Sequence, residues 1–242
     1  MKTTQPLEHI LFLDIETVPE QTSFDLLDAE TQELFDAKTV YKRKADELTA
    51  SEYYGHAGIW AEFGKIVCIS VGYLTHTSDG RRFRIRSFSG EEFQLLKAFK
   101  ALLDRHFSSQ HNRLCAHNGK EFDFPFLARR MLKHQLELPL LLQLMGKKPW
   151  EVPHLDTLEL WKFGDYKHYT SLKLLAHFFG IPSPKDDIDG SDVRRVYYGE
   201  HDVSRIVRYC EKDVVTLTQV YLKLILQPPL DESDIVFVSK DD

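Results

Sequence analysis

Two carboxylates spaced two residues apart, Asp14 and Glu16, stand at the end of an apolar run that reads Ile10-Leu11-Phe12-Leu13 and continues through Ile15. Side chains alternate along a strand, so the two acids point the same way. Like charges held side by side at the end of a buried strand are costly unless a proton or a cation neutralises them, and a divalent metal ion is the chemistry this spacing suggests. A strand that simply ends in solvated acids is the plainer reading of this pair taken alone. Two more acids occupy informative places. Asp123 follows Phe122 where a strand gives way to a helix, a position in which an acid can equally cap free N–H groups. Asp213 lies four residues after Tyr209 in the last helical stretch, so these two side chains are neighbours.

The elements that must position these residues can be read from periodicity. Ile10 and Phe12 on one face, with Leu11, Leu13 and Ile15 on the other, describe a strand covered on both sides and therefore central in its sheet, with Pro19 ending the ladder. Lys65–Tyr73 reads as a second buried strand. Arg82–Phe88 alternates basic with apolar residues as a half-exposed strand, and Ser78-Asp79-Gly80 between them is a hairpin signal. Ser89-Gly90-Glu91-Glu92 opens a helix that runs to about Phe107, Arg113–Asn118 is a short strand, and Asp123 begins a helix to about Leu136. Residues 138–153 read as a connection, Thr170-Ser171 caps a helix stopped by Gly180-Ile181-Pro182, and 182–201 read as a turn-rich loop. Asp202 is placed to cap the last helix, whose buried stripe is Val203, Ile206, Val207, Cys210, Val214, Leu217, Tyr221 and Leu224, and which ends before Pro228-Pro229. Strands alternating with helices make the fold α/β with a mixed sheet.

Residues 20–56 interrupt this order between the first two strands. Leu26, Leu27, Leu34 and Phe35 predict one short amphipathic helix, with Lys42-Arg43-Lys44 and Tyr53-Tyr54-Gly55 as irregular surface. The segment reads as an insertion, or a lid.

Among 242 residues, 43% are hydrophobic, ample for a packed core of one large domain or two small ones. No apolar stretch reaches the length of a membrane span, and Met1–Pro6 lack the apolar run of a signal peptide, so a cytoplasmic protein is expected. Cys68, Cys115 and Cys210 sit inside apolar runs, as reduced buried thiols do. The net charge of −6 is unevenly spread: residues 20–56 carry −5 and residues 231–242 carry −4, leaving the rest of the chain at +3. Masking of the candidate metal-binding acids by cations would make that remainder more positive still, so a phosphate backbone is tolerated.

Taken together, Asp14-x-Glu16, Asn118 with Phe122-Asp123, and Tyr209-x-x-x-Asp213 resemble the three motifs of the DEDD exonuclease superfamily, from Leu11 to about Leu226. The last spacing is that of its tyrosine subclass, since Arg208 stands where the histidine subclass carries histidine. More narrowly, Phe63–Ser70, Thr170-Ser171-Leu172, Asp189-Gly190-Ser191 and Tyr209-Cys210 resemble a stand-alone bacterial family related to the proofreading domain of family-B DNA polymerases. The resemblance implies a ribonuclease H-like three-layer fold, a central mixed sheet flanked by helices, with residues 1–227 as the exonuclease domain and 228–242 as an acidic tail. It further implies a hydrolytic 3′→5′ exonuclease with two Mg²⁺ or Mn²⁺ ions, acting on single-stranded or frayed DNA and releasing nucleoside 5′-monophosphates. Asp14 would bridge both ions, Glu16 and Asp213 would complete one site, Asp123 would hold the second ion, and Tyr209 would orient the attacking water. Thr17, Asn118, Phe122 and Phe126 are implied contacts to the terminal nucleotide.

An RNA 3′-end trimming enzyme of the same fold, or a non-catalytic module that binds nucleic acid or protein, remain the rival expectations. His106, His111, Cys115 and His117 match no zinc spacing. Asp156-Thr157 resembles an additional Asp-Thr of some DEDD enzymes, though an acid before a helix commonly caps it. Arg81-Arg82 and Arg194-Arg195 have the look of solvated basic pairs, and His168-Tyr169 precede a helix cap where they could face a cleft.

Overall fold

In the computed structural model, residues 5–78, 80–165, 169–182 and 188–238 are described; Asp79 of the hairpin signal and His168 lie outside them. The strands are β1 (Ile10–Pro19), β2 (Gly64–Thr77), β3 (Gly80–Ser89), β4 (Arg113–Ala116), β5 (Leu155–Asp156) and β6 (Ile235–Phe237), in the sheet order β5-β4-β1-β2-β3-β6. Pairing is antiparallel between β1 and β2 and between β2 and β3, and parallel for β1 with β4, β4 with β5, and β3 with β6. The sheet is thus mixed, as expected, with β1 in its interior.

The two apolar faces of β1 are separately covered. Leu11, Leu13 and Ile15 enter the larger core with Ile69, Leu96, Phe99 and Leu127. That core is closed by α3 (Glu92–His106) and α4 (Asp123–Lys133), which follow α1 (Ala29–Arg43) and α2 (Ala50–Tyr53) in the chain. Ile10 and Phe12 meet Phe83, Val214, Leu217 and Tyr221 on the other side. The helix there is α8 (Val203–Leu224), preceded by α5 (Thr157–Lys162), α6 (Leu172–Phe178) and α7 (Val193–Arg195). Helices on both faces of the sheet give the three-layer α/β architecture. Asp14 and Glu16 share the parity of Ile10 and Phe12, so they lie on the α8 side.

Close approach of α8 depends on Gly72. A Cβ there would fall 2.2 Å from the Phe83 ring and 2.9 Å from Val214. The helix starts at Asp202, whose side chain accepts the Arg205 N–H, and the helix of the Thr170-Ser171 signal is α6, capped by Ser171.

The 20–56 segment departs from its expected form. Its helix α1 is 15 residues long and takes in Lys42 and Arg43, and Leu26 and Leu34 are exposed. The buried ridge is Phe35 and Thr39, a narrower stripe than the leucines predict. Arg43 is not irregular surface: it donates to the Leu48 carbonyl at 2.9 Å and pairs with Asp36. Tyr54 is likewise interior, its ring edge-on to Phe35 at 5.3 Å and its hydroxyl accepting the Gln21 N–H. With Ala50, Ala57 and Phe63 they form a small core of their own. Helical periodicity does not show this core, because Phe35 on α1 meets Tyr54 and Phe63 edge-on from segments outside the helix.

Buried Arg130 ties this segment to the main body. It donates to Glu92 at 2.8 Å, to the Ala61 carbonyl at 2.9 Å and to Glu20 at 3.1 Å, while His134 stands 2.7 Å from Glu92. Burial works to raise the Glu92 pKa, but the bonds from Arg130, His134 and the Ile66 N–H prevail and hold it below the usual carboxylate value. At the other end, Leu230 enters the α8-side core, Gln219 makes paired hydrogen bonds with its backbone, and Arg81 and Arg82 reach Asp234 at 3.7 and 3.6 Å. Arg81-Arg82 are therefore engaged in holding β6 against β3. Among the described residues no helix is long and apolar enough to cross a membrane.

Candidate active site

β1 and β2 stay in register from Leu11 opposite Tyr73 to Glu16 opposite Cys68, and then slip between Glu16 and Thr17. The irregularity falls directly after the second acid. A bulge there re-aims the strand end, a device common beside active sites. Thr17 is fixed by its hydroxyl, which donates to the Gly58 carbonyl at 2.8 Å.

The parallel neighbour is shorter: β4 pairs with β1 only as far as Phe12 opposite Cys115. Beyond that point the outward N–H groups of β1 need another acceptor. The Asp123 carboxylate supplies one, accepting the Ile15 N–H as well as its own. Asp123 is the first residue of α4, with Phe122 in the cap position, so it is held between strand and helix instead of serving as the cap. Burial, opposed by those two N–H bonds and assisted by nearby Asp156, raises its pKa to about 7.

Asp14, Glu16 and Cys210 each offer a ligand atom within 4.8 Å of the others. Asp14 is raised well above the ordinary carboxylate range by burial, then by the charges of Asp213 and Asp123. Glu16 is raised in the same way, by burial and then by Asp14 and Asp213. Glu16 is 7% exposed, and its carboxylate has no hydrogen-bond or ion-pair partner among the described residues. On α8, Tyr209 donates its hydroxyl to Asp213 one turn later, and burial together with the charges of Asp213, Glu16 and Asp14 raises its pKa, so it is protonated at neutral pH.

The loop before α4 is shaped by Asp156. Its carboxylate accepts the N–H of Asn118 at 2.9 Å and of Lys120 at 3.0 Å, and also caps α5 through the Leu158 N–H at 3.0 Å. Asn118 sits in the left-handed region at φ 62°, in the turn that places Phe122 and Asp123. Gly119 beside it admits no side chain, since a Cβ would lie 2.4 Å from that of Ala116. His117 is committed to Thr157 Oγ1 and the Thr170 carbonyl, both at 2.9 Å, and burial lowers its pKa. Phe122 is half-buried with its ring 5.4 Å from Phe126, which is itself in the core.

Residues 59–235 match the family described as predicted 3′-5′ exonucleases related to the exonuclease domain of PolB. The chain belongs to that family. Among solved structures it is similar to the family B DNA polymerase from the hyperthermophilic archaeon Pyrobaculum calidifontis, with a TM-score of 0.54 and 15% sequence identity. That likeness, which concerns the fold, covers 90% of this chain and 24% of the polymerase chain. No curated protein matches.

Membership in the PolB-related exonuclease family gives the acid cluster its context. The sequence motifs converge in three dimensions as far as the charges show: Asp14 feels Asp213 and Asp123, and Tyr209 feels Asp14, Glu16 and Asp213. The tight trio within 4.8 Å, however, includes Cys210 and neither Asp123 nor Asp213. Cys210 is on the predicted buried stripe, and nothing in that pattern marks it as touching Asp14. Tyr169, noted in the sequence only for its position, is 66% exposed and feels the charges of Asp123 and Asp156. Arg194-Arg195 are engaged elsewhere, with Thr22 and with Asp192.

Proposed function

We propose that this chain is a divalent-metal-dependent 3′→5′ exonuclease that trims single-stranded or frayed DNA ends to nucleoside 5′-monophosphates. The observation that carries the reading is the buried Glu16 carboxylate, unpartnered among the described residues and crowded against Asp14. Carboxylates whose proton affinities are raised by burial and by one another fit hard divalent cations, which neutralise them with oxygen ligands. Asp14 and Glu16, joined by Asp213, would hold one ion, and Asp123 with Asp14 the other. Two such ions, when bound, stabilise the attacking and leaving oxygens of an in-line phosphoryl displacement.

The remaining roles belong to the chain's own groups. Protonated Tyr209, anchored to Asp213, orients the attacking water with its oxygen as acceptor instead of abstracting a proton at neutral pH. Phe122, backed by Phe126, offers a ring to the terminal base or sugar, and Asn118 its amide. Thr17 contributes backbone only, because its hydroxyl is spent on Gly58. DNA is favoured over RNA because the family's named relation is to the exonuclease domain of a DNA polymerase.

The test is a 5′-labelled DNA strand and an RNA strand of the same sequence, incubated with the protein and Mn²⁺. A ladder shortening from the 3′ end of DNA, with nucleoside 5′-monophosphates released, supports the proposal. Preferential loss of the RNA would move the substrate to RNA, and intact strands would leave only a binding role.

A further inference from the structure

One wall of the carboxylate cluster is a thiol. Cys210 is fully buried, one residue after Tyr209 on α8, and its Sγ lies 3.3 Å from Asp14 Oδ2 and 3.4 Å from the Asp14 carbonyl. Cys68, also fully buried, stands opposite Glu16 in the β1–β2 register and shares a hydrogen bond with Cys210. Hard ions such as Mg²⁺ take oxygen ligands and have no use for this sulfur. Softer ions do: zinc binds thiolate at about 2.3 Å and carboxylate oxygen at about 2.0–2.2 Å, which sets tetrahedral ligands about 3.3–3.7 Å apart. For a sulfur–oxygen pair that spacing is about 3.5–3.7 Å, so the 3.3 Å between Sγ and Oδ2 needs only a small widening to admit the ion.

We infer that Asp14, Glu16 and Cys210 form a site for a thiophilic divalent cation, such as Zn²⁺, Co²⁺ or Cd²⁺, overlapping the position that the proposed catalytic ions need. The inference rests on reading Asp14 and Glu16 as metal-binding, and it adds the sulfur ligand. Three protein ligands leave a fourth position to water. The Cys210 thiol proton leaves to solvent as the cation arrives. Glu16, 7% exposed and with a ligand atom within 4.8 Å of those of Asp14 and Cys210, completes the set. Such a cation draws Asp14 toward α8 and inhibits hydrolysis supported by Mg²⁺ or Mn²⁺.

Cobalt alone, added to the full chain, tests this optically. Thiolate ligation gives a near-ultraviolet sulfur-to-cobalt charge-transfer band that carboxylate ligation does not, beside the visible bands of any bound cobalt. We expect the band in the parent protein and in Cys68→Ser, and its loss in Cys210→Ser. Zinc affinity by calorimetry is expected to fall in Cys210→Ser by no less than the about 10–100-fold that losing even an outer partner of a ligand costs. Cadmium NMR of the parent, which needs no variant, should show a sulfur-shifted resonance. Cobalt bound with visible bands but no charge transfer would overturn the thiol inference and leave the carboxylate site standing. Cobalt that does not bind would overturn both.

Discussion

The Asp156 carboxylate accepts the Asn118 N–H at 2.9 Å, across 38 residues of chain, while the same oxygen caps α5. One side chain therefore sets the turn that delivers Phe122 and Asp123 to β1. Asp156→Ala should lower both stability, by about 1–2 kcal/mol for the lost cap, and turnover, because the loop before α4 loosens. Thermal melts and initial rates measure the two effects. Parental turnover in a variant that is clearly destabilised would show that the clamp supports the fold alone.

Tyr209→Phe removes the hydroxyl that donates to Asp213 but keeps the ring. Turnover is expected to fall about 10²–10⁴-fold with KM little changed, since the loss is of water orientation and not of substrate contact. A rate within twofold of the parent would remove Tyr209 from the mechanism.

Asp123, at about 7 in the fold, lies above its unfolded value of about 3.9. The folded state therefore keeps a proton that the unfolded chain has released, so this contribution to stability is greatest below about pH 4. It declines as pH rises toward about 7 and is level above that. A divalent ion replaces the proton, so the melting-temperature gain from Mn²⁺ should grow from about pH 5 to about pH 8. At saturation near 100 times Kd the gain is about 2.7 kcal/mol, or about 5–10 °C for a chain of this size. A gain independent of pH would exclude these carboxylates as the metal ligands.

Arg130→Ala leaves Glu92 buried without its main partner. A loss of about 3–5 kcal/mol is expected in urea unfolding, with the 20–56 segment loosened through Glu20 and Ala61. Arg130→Met, which fills the space but donates no hydrogen bond to Glu92, Ala61 or Glu20, should still be destabilised because the Glu92 carboxyl is left buried without its guanidinium. A change under 1 kcal/mol in both would show that water compensates Glu92.

Much of this arrangement was legible in the chain itself. The β1 parity, which divides Leu11, Leu13 and Ile15 from Ile10 and Phe12, follows from alternation alone and decides that Asp14 and Glu16 face α8. The Asp202 and Ser171 caps were readable for the same local reason. What periodicity could not supply is contact between distant segments. Arg130 sits three residues after Leu127, where a long cation is usually taken to reach solvent, and only the meeting of Glu92, Glu20 and Ala61 makes it interior. The aromatic core around Phe35 and Tyr54 escaped for a related reason, since Phe35 on α1 meets rings such as Phe24 and Tyr54 that come from other segments. Cys210 against Asp14 joins residues 196 apart, and a cysteine in an apolar stripe carries no sign of its neighbour.

The central claim is that Asp14 holds the ions that drive hydrolysis. Single-turnover cleavage of a labelled DNA strand with Mn²⁺ by the parent and by Asp14→Ala tests it most directly, with circular dichroism confirming that both are folded. Loss of several kcal/mol of transition-state stabilisation predicts a rate at least about 10³-fold lower in the variant. Asp14→Ala cutting as fast as the parent would contradict the account.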